Sequence, residues 1–286
     1  MHNHWFNAAL CWLVFPLLSG CRPSPSPKSA STPEDLLSVQ LSDELSVREI
    51  APDVLVVEHR FPWAANSLLV KVSEGRYVFV DTPYTRLATQ EVVEWLGRTF
   101  GTVEIIEINT GYHADNLGGN EYLLKAGVPV YGSFLTDKLL RDKGEETRRQ
   151  VLTWLTAPEH ASFRAAHKSM SFYPPNQLFQ VSEGLSFEFP DETVEAYYPG
   201  PSHAEDNLVV YFARHKVLFA GCMVKSLAAT DLGFTGDADV EKWPTAIERV
   251  RDRFEDTEVV VPGHGEPGDL ALLEHTLSLL EARASK

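Results

Sequence analysis

Positive charge is scarce in this chain: 25 Lys and Arg stand against 40 Asp and Glu, a formal net charge of −15. A nucleic-acid binder needs a basic stripe to displace counterions from phosphate, so that class is excluded. The acidic surface is also a poor match for anionic lipid headgroups. Cysteine is nearly missing, with three in 286 residues. Also missing are an internal repeat of roughly 20–50 residues and any linker that would divide 46–286. The first twenty residues contain no Asp, Glu, Lys or Arg.

That uncharged start carries its own information. Leu10 to Leu18 is almost wholly apolar but too short to span a bilayer as a stable helix, so it reads as the core of a secretory signal in residues 1–20. Leu18-Ser19-Gly20-Cys21 resembles a bacterial lipobox, in which Cys21 takes lipid and becomes the mature N-terminus. The competing reading is an ordinary signal with a chance Cys. Arg22 to Pro33 is rich in Pro and Ser, and residues 21–45 are expected to form a lipidated Cys and flexible tether. The expected location is the periplasmic face of a bacterial membrane, with lipid on Cys21 the only membrane contact. Cys11 leaves with the signal and Cys21 carries lipid, so Cys222 alone remains in the body and no internal disulfide forms there. A lone thiol in an oxidising compartment is a liability unless it is buried or bound to metal.

From residue 46 onward short β-rich runs alternate with helices. Val54 to Val57, Leu68 to Val72 and Tyr77 to Val80 read as strands of a meander. Arg86 to Phe100 has its apolar residues near the helical period and stops at Gly101, and Leu270 to Ala284 places Leu270, Leu273, Leu277 and Leu280 on one stripe. Further strands are expected at Val103 to Ile108, Val194 to Tyr198, Leu208 to Phe212, Val217 to Ala220 and Val259 to Val261. This pattern predicts a layered α/β protein in one domain, 46–286. Residues 134–180 are an exception. Leu135 to Thr156 is highly charged and reads as one or two exposed helices, either a lid over a site or a surface excursion.

Four strand ends run into Gly or Pro turns that carry metal-type donors. They are Thr110-Gly111-Tyr112-His113-Ala114-Asp115, Gly200-Pro201-Ser202-His203, Gly221-Cys222-Met223-Val224-Lys225 and Pro262-Gly263-His264-Gly265. Loops at the ends of rigid strands are where α/β proteins keep their sites. Zinc accepts imidazole, thiolate and carboxylate together, and ligation would explain the survival of Cys222 as a free thiolate. The other histidines, His59, His160, His167, His215 and His275, lack partner spacing and read as surface or structural residues.

These motifs, with Asp81-Thr82 after a strand, Gly118-Gly119, Leu232-Gly233 and Gly236-Asp237-Ala238-Asp239, resemble the metallo-β-lactamases of the Cys-containing subclasses over essentially all of 46–286. The resemblance implies a four-layer αββα metallo-β-lactamase sandwich with Zn2+ at the lip between two sheets, a small-molecule β-lactam substrate and a monomer. It implies metal ligands His113, Asp115, His203, Cys222 and His264. The family's first loop reads His-x-His-x-Asp, and Gly111 stands at its first position. The three-His site therefore keeps only His113 and His203, while the Asp115, Cys222 and His264 site is complete. One zinc is expected firmly at the latter and a second, weak or absent, at the former. Gly111→His is expected to restore a second zinc. A water oriented by Asp115 or His113 would attack a strained cyclic amide. Lys225 would pair with the substrate carboxylate, Trp63 would cover the site, and Phe234 stands at a rim position where the family places Asn. Alternatives from other classes are a lactonase or thioesterase-like hydrolase on the same fold, and a zinc-binding envelope lipoprotein without turnover.

Overall fold

The computed structural model describes residues 36–284. The signal, Cys21 and most of the tether lie outside the described residues. The first sheet is built from β1 (Ser38–Ser42), β2 (Leu45–Ala51), β3 (Val54–Arg60), β4 (Ala64–Ser73) and β5 (Arg76–Val80), followed after helix α1 (Arg86–Phe100) by β6 (Glu104–Ile108). Two short helices, α2 (Ala114–Leu117) and α3 (Asn120–Lys125), lead to β7 (Val130–Ser133). Helices α4 (Phe134–Trp154) and α5 (Ala161–Ser169) then precede β8 (Gln177–Phe179). The second sheet holds β9 (Leu185–Phe189), β10 (Glu192–Tyr197), β11 (Val209–Phe212), β12 (Val217–Gly221) and β13 (Val259–Pro262), with α6 (Trp243–Arg253) and α7 (Ala271–Ala284) beside it.

Strand order is β1 to β8 in sequence in the first sheet and β13-β12-β11-β10-β9 in the second. β1 to β5 form an antiparallel meander, and β5 to β8 continue in parallel. In the second sheet only β12 and β13 are parallel. That pairing has a consequence for function, since two parallel neighbours deliver their C-terminal turns to the same edge.

Alternation along the strands sorts the core into layers. Val54 and Val56 on β3, Leu68 and Val70 on β4 and Ile108 on β6 face Val194, Val210, Phe212 and Phe219 of the other sheet. Leu55, Val57 and Leu69 point the other way, onto Val92, Trp95 and Leu96 of α1. Leu218, Ala220 and Val260 pack on Trp243, Ile247 and Val250 of α6 and Leu272, Leu273 and Leu280 of α7. The layers are helix, sheet, sheet, helix, which is the expected sandwich. Helix α1 starts where Thr85 accepts a hydrogen bond from Ala88 N–H and ends at Gly101, whose φ of +84° suits glycine.

The sheet begins at Ser38, ahead of the boundary expected at residue 46: the last residues of the expected tether pair with β2 as an edge strand. Of the two readings of segment 134–180, the structure favours a cover beside a site over a surface excursion packed on itself. One face of α4 lines the central cavity.

Candidate active site

Asp81 follows β5 in a left-handed conformation, φ +56°, and organises the first loop. Its carboxylate accepts from Thr110 N–H at 2.7 Å, Thr110 Oγ1 at 2.7 Å and Asn116 Nδ2 at 2.8 Å. These bonds fold residues 109–116 over the end of β6. His113 caps α2, and Asp115 sits in its first turn. Leu208 N–H donates to Thr110 O at 2.9 Å, which ties this loop to the one carrying His203.

The second-sheet ligands are placed by backbone proximity. Gly263 N–H donates to Gly221 O at 2.7 Å, so the turns after β12 and β13 lie against one another. A Cβ at Gly263 would stand 2.8 Å from Cys222 Sγ, so only glycine admits this approach. Asn66 on β4 clamps the outer turn by donating from Nδ2 to Pro262 O at 2.9 Å and Gly265 O at 2.7 Å. Sequence reasoning missed Asn66 because its partners lie almost two hundred residues away.

Asp115, Cys222 and His264 come together, each offering a donor atom within 4.8 Å of the others. Asp115 Oδ2 is 3.1 Å from His264 Nε2 and 3.3 Å from Cys222 Sγ, and Cys222 Sγ is 3.7 Å from His264 Nε2. His264 Nδ1 donates to Ala64 O at 2.7 Å, which turns Nε2 toward the cluster, where it would serve as a metal donor. Burial favours a protonated Asp115, but the hydrogen bond and charge of His264, with His113 and Cys222, hold its carboxyl well below the usual range. Burial and the Asp115 charge push the Cys222 thiol far up. A thiolate at Cys222 would set a second negative charge against the Asp115 carboxylate, and a divalent ion bound between them would relieve that repulsion. The donor set, one carboxylate, one thiolate and one imidazole, fits zinc with a position left over.

His113 and His203 meet beside this cluster with ring centroids 5.4 Å apart and planes perpendicular. His113 Nε2 lies 3.1 Å from Asp237 Oδ2, a partner with no assigned role in the sequence reading. Burial lowers the His113 pKa, but the Asp237 hydrogen bond and the charges of Asp115, Asp237 and Asp206 raise it overall. Donation from Nε2 leaves Nδ1 free to bind a metal, as in carboxylate–histidine–metal triads. His203 Nδ1 is buried with no hydrogen-bond partner among the described residues, and burial with the nearby Lys225 drives its pKa far down. These two imidazoles fit a second, weaker metal position. Gly111 supplies no donor, and the space a side chain would take is filled: a Cβ there would stand 2.9 Å from Asn207 Nδ2 and 3.1 Å from Asn116 Oδ1.

The donors open onto a cavity of about 520 Å³ that is also lined by Lys225, Trp63, Phe234, Trp154 and Arg148. Lys225 Nζ sits 5.5 Å over the Trp243 ring, and burial lowers its pKa against the opposing charges of Cys222, Asp115 and Asp231. Trp63 meets Trp154 edge-on at 5.9 Å, and Trp154 meets Phe234 at 5.1 Å, so three rings form a chain across the cavity. Phe234 in turn lies 6.2 Å from His113. Trp154 and Arg148, both from α4, carried no signal in the sequence beyond a charged helical pattern. Of the histidines set aside, His59 is buried and accepts from Tyr84 N–H. His167 also lines the cavity, and His215 pairs with buried Glu192 at 2.5 Å.

Residues 60–264 match the family model described as the metallo-beta-lactamase superfamily. A metallo-beta-lactamase type 2 of Bacillus cereus is 34% identical over 217 residues, covering 76% of this chain and 73% of that protein. One of Bacteroides fragilis is 28% identical over 249 residues, with coverage of 85% and 88%. Among solved structures, TMB-1 superposes with a TM-score of 0.69 at 29% identity, covering 86% of this chain and 100% of that one. A metallo-beta-lactamase from Pontibacter korlensis gives 0.62 at 32% identity, with coverage of 86% and 99%. With its sandwich, its donor cluster at the sheet edge and these relatives, the chain belongs to the metallo-beta-lactamase superfamily.

Proposed function

We propose that the chain is a zinc-dependent β-lactamase that hydrolyses the strained cyclic amide of β-lactams. The observation that carries this reading is the convergence of Asp115, Cys222 and His264 within 4.8 Å at a cavity that Lys225 also lines. Zinc held by these three residues would act as a Lewis acid and make hydroxide available near neutral pH. Asp115, kept ionised, orients the attacking water through the carboxylate oxygen that also faces His264. Lys225 attracts the substrate carboxylate as a point charge and so fixes which amide face is presented. Trp63, Trp154 and Phe234 exclude bulk water from the cavity. The water oxygen adds to the carbonyl carbon, the C–N bond breaks, and the proton given up by the water ends on the ring nitrogen.

The incomplete His113 and His203 pair supports a preference for carbapenems and a single firmly held zinc. The N-terminal Leu18-Ser19-Gly20-Cys21 supports export and lipid anchoring at the periplasmic face. Among the described residues no helix is long and apolar enough to cross a membrane. The test is zinc content of the purified domain measured beside hydrolysis of imipenem, a penicillin and a simple lactone. One zinc with imipenem turnover is expected. Turnover of the lactone alone would overturn the proposal.

A further inference from the structure

The cavity contains a second cation besides Lys225. Gly144, Thr147, Arg148, Val151 and Trp154 line it from α4, at helical spacings that put them on one face. Arg148 is mostly buried, its side chain 16% exposed. Its Nε is buried with no hydrogen-bond partner among the described residues. The guanidinium carbon lies 5.0 Å from the centre of the Phe172 ring, which holds the fork in place by stacking. Its ion partner is Glu145, one turn back at 3.1 Å and 75% exposed. Glu145, being exposed, is screened by water and leaves the pairing open to exchange.

The part of the guanidinium that lines the cavity is a planar fork, which matches a carboxylate or sulfonate better than any neutral group. Lys225 reaches the same cavity from the turn after β12, beside Cys222. Arg148 reaches it from α4, beside Phe172. Asp115 and Asp231 also line the cavity, Asp115 within the metal cluster, so the two cations offer separated places for two anionic groups of one ligand.

We propose that Arg148 forms a second anion subsite in the catalytic cavity, taking a carboxylate or sulfonate on the acyl side chain of the substrate while Lys225 takes the ring carboxylate. The identity of the substrate rests on the β-lactamase reading; the anion subsite does not. Phe172 fixes the orientation of the guanidinium, so the subsite is formed before the ligand arrives.

Two measurements on the zinc-loaded full domain test it. The first compares KM for benzylpenicillin and its α-carboxy derivative in wild type, Arg148→Gln and Arg148→Lys. One charge-assisted hydrogen bond corresponds to about tenfold, so Arg148→Gln is expected to shift the KM ratio about tenfold against the dianion, with Arg148→Lys in between. The second titrates phenylacetate and 4-sulfophenylacetate, which have no lactam bond, against tryptophan fluorescence. The sulfonate is expected to bind more tightly, and the advantage to vanish in Arg148→Gln. A sulfonate advantage without hydrolysis of imipenem or of either penicillin would uphold the subsite and overturn the β-lactamase reading. An unchanged KM ratio and unchanged sulfonate binding, in an Arg148→Gln protein with the wild-type melting temperature, would overturn the subsite. Equal weakening toward all four compounds would overturn it too, since Arg148 would then only brace α4 on Phe172.

Discussion

The carboxamide Nδ2 of Asn207 stands 2.9 Å from the point where a side chain at Gly111 would begin. Asn207 is not free to withdraw, because its Oδ1 accepts from Ala204 N–H at 2.8 Å and so shapes the turn carrying His203. The missing donor at position 111 and the turn that presents its would-be partner are thus one packing arrangement.

This changes the expectation for Gly111→His. The single variant is expected to lose about 1–3 kcal/mol from overpacking and to hold no more zinc than the wild type. Gly111→His combined with Asn207→Ser, which keeps an acceptor but removes the obstructing Nδ2, is expected to gain a second equivalent. Metal analysis after dialysis checks both. A full extra equivalent in the single variant would show that Asn207 yields.

Asp237 fixes the tautomer and ring orientation of His113 at 3.1 Å. Asp237→Asn is expected to weaken metal binding at the His113 and His203 position by about 10–100-fold while leaving the Asp115, Cys222 and His264 position intact. Competition titration with a chromophoric chelator, in which two phases separate, measures each position.

Cys222→Ser removes the one thiolate from the three-donor cluster. Its zinc affinity is expected to fall by at least about 100-fold, more than the loss of a supporting residue costs. Far-ultraviolet dichroism should be unchanged, since Cys222 shares its burial with Met223 and Val224 on the same packed turn. Loss of the dichroism signal would mean that the thiol is part of the core rather than of the metal site.

His59 gives a pH dependence away from the metal donors. Burial lowers its pKa from 6.5 to about 4. The unfolded chain therefore binds the extra proton first. The neutral ring's contribution is complete above about pH 6.5 and is lost progressively as pH falls towards 4, by about 3 kcal/mol in all. His59→Asn keeps an acceptor for Tyr84 N–H and is expected to flatten stability between pH 7 and 4.5 in urea titrations. An unchanged slope would assign the acid sensitivity to other groups.

The parts of the site that the sequence revealed are those that depend on local pattern. A strand of Val and Ile ending in Gly or Pro and then His or Cys marks its own position, so His113, Asp115, His203, Cys222 and His264 were all visible. Asn66 and the role of Asp237 were not, because each acts across a large sequence separation: Asp237 meets His113 over 124 residues. Arg148 was hidden in a helical pattern charged along its whole length. The short strands β7 to β9 and the helices α3, α5 and α6 also left weak signals. β8 is only three residues long, and α3 only six. The edge strand β1 was hidden because its residues alternate between exposed and half-buried, with little apolar content to mark a face.

The three donors do not belong to one half of the sandwich. Asp115 follows a strand of the first sheet, whereas Cys222 and His264 follow strands of the second. An ion shared among them is therefore a cross-link between halves, closing stretches of 107 and 42 residues that would otherwise be open in the unfolded chain. The lip of the sandwich is a seam stitched at its catalytic point. An enzyme stripped of its ion keeps the Asn66 clamp and the Leu208–Thr110 bond between its sheets but loses the third tie at the lip, so chelation that inactivates it also loosens it there.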